Sequence, residues 1–132
     1  MAGLSFLADA CALIVFHGYG GRGMSAAGKA AMEDGDVFVS GITVWEITRK
    51  VALGKLDRPV PPGFAGTFAQ YLEQSGYRPI QLDWHTAEAA NALPEHHKDP
   101  MDRMLIAIAQ RQGLVIISND VVFADYGVRT VW

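Results

Sequence analysis

Apolar residues along this chain follow two rhythms: short unbroken runs, and longer stretches in which they return every three or four positions. Residues 5–8 read as a buried strand and residues 10–16 as the helix that follows it. Ser25 predicts the N-cap of a helix running to Asp34, with Gly35 as its stop. Val37, Phe38 and Val39 predict a second strand. Residues 43–53 carry Val44, Ile47 and Val51 at helical spacing, and Gly54 closes that helix. After a proline-rich loop, Phe64, Phe68, Tyr71 and Leu72 supply the apolar face of another helix, which Gly76 ends. Residues 78–82 fit a third strand whose Pro79 suits an edge position. An alanine-rich helix is expected over residues 86–93, then a polar loop over 94–98. Asp99 and Pro100 suit the N-cap and first position of a strong helix, with Met101, Leu105 and Ile108 on one face and Gly113 as its stop. Residues 114–117 form the continuous apolar run that a parallel strand buried on both faces needs. A last short strand falls at residues 128–131.

This alternation predicts one domain over residues 1–132, an α/β fold of three layers (α/β/α) around a mainly parallel sheet. Open parallel sheets bind ligands at the carboxyl ends of their strands. Asp9 stands just past the first strand and Asp120 just past the fourth. Glu46 and Asp102 lie at or near helix starts that point the same way. Carboxylates converging on one crevice repel one another, so such a site makes sense only when cations neutralise it. Hard oxygen ligands with no soft partner suit Mg²⁺ or Mn²⁺, ions that support in-line attack on a phosphodiester. Each acid also has a plainer reading. Asp9 can cap the helix after it; Glu46 can pair with Arg49 or Lys50. Asp102 can answer a helix dipole, and Asp120 can serve a turn beside Asn119.

Composition narrows the field. Of 132 residues, 50% are hydrophobic and 19% charged, which fits a globular domain. Eleven Lys and Arg against 14 Asp and Glu give a net charge of −3, so bulk electrostatic binding of nucleic acid is not expected. The apolar N-terminal run imitates a signal peptide, yet no Lys or Arg precedes Arg22 and Asp9 interrupts it. No run approaches the roughly 18 apolar residues of a membrane span. The single cysteine, Cys11, reads as packing in an apolar helix, and a cytoplasmic location is expected.

At this point the motifs point to a family. Leu7-Ala8-Asp9-Ala10-Cys11-Ala12-Leu13, then Ser40-Gly41-Ile42-Thr43-Val44-Trp45-Glu46-Ile47 with Lys50 and Gly54-Lys55-Leu56, resemble the PIN-domain (PilT N-terminus) ribonucleases, above all the VapC-type toxins of toxin–antitoxin pairs. So do Leu93-Pro94-Glu95-His96-His97-Lys98-Asp99-Pro100-Met101-Asp102-Arg103 and Ile117-Ser118-Asn119-Asp120 with Phe123 and Tyr126. The resemblance runs nearly end to end. It implies an endoribonuclease in which Asp9, Glu46, Asp102 and Asp120 bind Mg²⁺ or Mn²⁺ and cut RNA. It also implies a cognate VapB-like antitoxin, a homodimer and no membrane role. Ser118 matches a hydroxyl residue that the family commonly places two residues before the last acid, where it orients a ligand, and Asp99 is assigned chiefly to capping. Thr43 stands where serine is common, and Ala8 where a larger apolar residue is usual.

The remaining candidates are weaker. Arg103 and Lys98 flank the acids and are placed to approach a phosphate backbone, or simply to be solvated at a helix start. His96 and His97 read as exposed loop histidines, and Trp45 as core. The rival to a nuclease is a Rossmann-like nucleotide-binding module using the loop of residues 18–23, whose Gly18, Gly20 and Gly23 satisfy G-x-G-x-x-G. That fingerprint needs a strand before it and an acid ending the next strand. Asp36 precedes the second strand instead of following it.

Overall fold

The computed structural model describes residues 3–132. Five strands, β1 (Ser5–Ala8), β2 (Asp36–Ser40), β3 (Arg78–Ile80), β4 (Val115–Ile117) and β5 (Thr130–Val131), form one sheet in the order β3-β2-β1-β4-β5. Every pairing is parallel, with Leu7 beside Phe38 on one side and Ile116 on the other. Six α-helices connect and cover it: α1 (Ala10–Gly18), α2 (Ala26–Asp34), α3 (Gly41–Ala52), α4 (Phe68–Gln74), α5 (Trp84–Asn91) and α6 (Pro100–Gln112). The α/β fold with a parallel sheet is as the alternation predicted.

Alternation within the strands divides the core into two. Ala8, Val37, Val39 and Ile117 face a cluster built by Leu13, Met32, Ile47, Phe68 and Leu72 from α1 to α4. Their neighbours Leu7 and Ile116 face the opposite way, onto Leu105, Ile106, Ile108 and Phe123. Burial on both faces is why the strand sequences are apolar without interruption. β3 is an edge strand, so the missing N–H of Pro79 is tolerated there.

Several boundaries differ from the sequence reading. Phe64 precedes α4 and is not part of its face; its ring packs edge-on against Tyr71, 5.2 Å between centroids. Helix α5 starts at Trp84 because Asp83 caps it through the Thr86 amide. A 3₁₀ helix, Val121–Tyr126, was not foreseen. Gly113 ends α6 in the left-handed conformation, φ 69°, whereas Gly35 ends α2 with φ −76°. The reason for glycine at 35 is space: a Cβ there would stand 2.4 Å from the Ala31 carbonyl oxygen. The end of α1 is tied to α4 and to the residue before β3 by His17, whose ring bonds the Tyr77 hydroxyl at 2.6 Å and the Tyr71 hydroxyl at 2.8 Å. Burial holds the His17 pKa below its ordinary value. The loop of residues 18–23 follows the end of α1, a helix. The strand–turn–helix context of a dinucleotide site is therefore missing, and the Rossmann-like alternative is set aside.

Candidate active site

Parallel pairing fixes where the first and last acids go. The Asp9 amide donates to the Ile117 carbonyl at 3.3 Å, carrying the β1–β4 ladder one step past the strands. Ser118 then lies beside Asp9, and Asp120 follows two residues on. The Ser118 hydroxyl is buried, accepts the Asp120 amide at 3.0 Å and, from beside Asp9, favours its charged form. One serine thus stands against the segments of both acids.

Asp9, Glu46, Asp102 and Asp120 all line one open cleft of about 300 Å³, together with Cys11, Ile14, Lys50 and Leu105. The plainer readings of these acids also hold, without competing. Asp9 caps α1, accepting the Ala12 amide at 2.9 Å. Asp120 caps the 3₁₀ helix through the Val122 amide at 3.0 Å. Glu46 pairs with Lys50 at 3.5 Å, an exposed i,i+4 contact of small energy. Asp102 takes a hydrogen bond from His97 Nε2 at 2.8 Å. Asp99 is exposed and caps α6 through the Met101 and Asp102 amides; it does not line the cleft.

The electrostatics are those of an under-compensated anionic pocket. Asp9 is only 8% exposed, and its pKa is pushed up to about 6. Loss of water is the main cause; the charges of Asp102 and Glu46 add to it, while Ser118 and the Ala12 amide oppose it. Burial also raises Asp102, and raises the Cys11 thiol, with the Asp9 charge adding to the latter. Among the described residues no three Asp, Glu, His or Cys side chains are gathered into a ready-made metal cage. An open wall of hard oxygens suits Mg²⁺ nonetheless, because that ion keeps several waters and takes few carboxylates directly. The donor set fits.

Arg103, Trp45 and His97 stand differently from the sequence reading. Arg103 is 8% exposed, and its guanidinium is spent on the carbonyls of Pro94, His97, Leu93, Ala90 and Asn91 at 2.8–3.4 Å. It clamps the α5–α6 loop, and both of its terminal nitrogens are committed there. Lys98 is exposed but lies outside the cleft. Trp45 is 60% exposed, beside Glu46 on α3, so it is no core residue. His97 is half-buried and bound to Asp102, a role that the loop sequence did not signal. Thr43, one turn before Glu46, is fully buried, and its hydroxyl has no partner among the described residues.

The PIN domain family model matches residues 6–128. No curated protein matches the chain. Among solved structures, the crystal structure of FitAcB from Neisseria gonorrhoeae is similar at TM-score 0.60 and 19% identity, over 96% of each chain. FitAB bound to an IR36 DNA fragment is similar at TM-score 0.59 and 19% identity, over 95% of this chain and 92% of that one. This chain belongs to the PIN domain family. PIN domains are generally nucleases that use divalent metal ions.

Proposed function

We propose that the protein is a Mg²⁺- or Mn²⁺-dependent endoribonuclease and the toxin of a toxin–antitoxin pair. The observation that carries this reading is the single cleft walled by Asp9, Glu46, Asp102 and Asp120, with Asp9 buried and its charge uncompensated. Those four side chains would hold the cation. Once bound, the ion supplies neutralisation of the charge that builds on the phosphodiester and eases loss of a proton from the attacking water. The chain's own contribution is placement. Ser118 keeps the Asp9 and Asp120 segments in register, and the clamped α5–α6 loop fixes Asp102. Lys50, half-exposed on the rim, is the one cationic side chain lining the cleft among the described residues, and it offers its ammonium to a phosphate oxygen. Ile14 and Leu105 give the cleft an apolar wall that limits water around these charges.

RNA as the substrate, the VapB-like antitoxin, the homodimer and the cytoplasmic location rest on the sequence resemblance. Among the described residues no helix is long and apolar enough to cross a membrane. An acidic cleft of this size suits occlusion by a basic side chain of the antitoxin. The test is RNA cleavage with and without chelator, on the wild-type chain and Asp9→Asn. Activity should vanish in EDTA and return with Mg²⁺ or Mn²⁺. Asn keeps the size and capping oxygen of Asp9 but removes its charge, so cleavage should fall at least ~100-fold, about 3 kcal/mol of barrier. Full turnover in EDTA, or undiminished cleavage by the variant, overturns the reading.

A further inference from the structure

The α5–α6 loop is built far more firmly than a polar surface loop requires, and its tightest point is His97. The His97 carbonyl accepts from Arg103 at 3.0 Å, and its amide donates to the Tyr126 hydroxyl at 2.9 Å. That hydroxyl in turn donates to the Pro94 carbonyl at 2.7 Å. The backbone of residue 97 is thus held from both sides, by α6 and by the 3₁₀ helix that Asp120 caps. What this scaffold presents is the imidazole, whose Nε2 donates to Asp102 Oδ2 at 2.8 Å on a half-buried path.

We propose that His97 is a positioning residue of the acidic cleft: it fixes the Asp102 carboxylate on the cleft wall, with Tyr126 and Arg103 fixing His97. The inference rests on the metal-site reading given above. A free Asp side chain on the first turn of a helix samples several rotamers, and each must be given up when it takes a cation. A hydrogen bond from an imidazole whose backbone is held at two points restricts that freedom beforehand and orients the oxygen that stays available. Partners of this kind around ligating carboxylates typically change metal affinity or activity by about 10- to 100-fold when removed. The connection through Tyr126 also ties Asp102 to the segment bearing Asp120, so two acids from separate elements share one support.

The experiment is Mn²⁺ titration, read as free Mn²⁺ by electron paramagnetic resonance, on wild type, His97→Ala and His97→Gln, with melting temperature and RNA cleavage measured on the same samples. Gln places an amide donor near the former Nε2. His97→Ala should weaken Mn²⁺ binding by about 10- to 100-fold, and His97→Gln should recover most of the loss, while the two variants melt alike. Unchanged Mn²⁺ affinity in His97→Ala overturns the inference. So does an equal loss in both variants that follows their melting temperatures, the result of a purely structural role. A wild-type chain that binds Mn²⁺ and leaves RNA intact overturns the nuclease reading while the His97 comparison still stands. A wild-type chain that takes up no Mn²⁺ overturns both.

Discussion

Asp9 caps a helix and faces a cleft with the same carboxyl group, and its environment makes the charged form expensive. Its folded pKa, about 6, lies above the ordinary 3.8. Above pH 6 the metal-free folded state carries the full penalty of a buried charge. As pH falls from 6 towards 4, the folded protein takes up a proton that the unfolded chain does not, and stability rises by that amount. Roughly two pH units correspond to about 3 kcal/mol. Asp9→Asn removes the penalty and keeps the cap, so in EDTA it should melt higher than wild type at pH 8, and the gap should close by pH 4 to 5. Thermal melts across pH check this; a variant that melts lower at pH 8 counts against it. The acid was legible in the sequence because a strand end is a place that any reader of alternating patterns can locate. Trp45 was not. Helical spacing says which residues share a face, and whether another element covers that face is decided elsewhere in the chain.

At the scale of elements, the α5–α6 loop shows what a charged residue at a helix start can conceal. Arg103 looked like a phosphate contact because its partners are backbone carbonyls, which carry no signature in the sequence. Five acceptors around one planar guanidinium cannot be matched by an ammonium group. Arg103→Ala should therefore cost about 3 kcal/mol or more, since it leaves buried carbonyls unsatisfied, and Arg103→Lys should restore less than half of that. Chemical denaturation measures both, and full restoration by Lys would remove the fork geometry from the explanation. Residues 121–126 escaped prediction for a related reason. Val121, Val122 and Phe123 resemble a strand, and only the caps at Asp120 and Gly127, together with the burial of Phe123 and Tyr126, turn the segment into a 3₁₀ helix.

Across the whole molecule, the sheet order was hidden even though its strands were not. Five apolar runs do not say which lies beside which. The pairing of β1 with both β2 and β4 joins residues far apart in the chain, Leu7 with Phe38 and Ile116. Leu7 and Ile116 are fully buried, so β1 needs both neighbours before its core can close. A chain cut after Gln112 lacks β4 and β5 and should show no cooperative melting transition by circular dichroism. A sharp transition in that fragment would mean that the six helices and first three strands suffice. The same topology sets an order in time. A ribosome releases Asp9 and Glu46 early, but Asp102 and Asp120 emerge much later, and β4 must then add to the open edge of β1 before β5 can pair with it. The cleft gains its fourth acid only when Asp120 has emerged, so every shorter nascent chain carries an incomplete site.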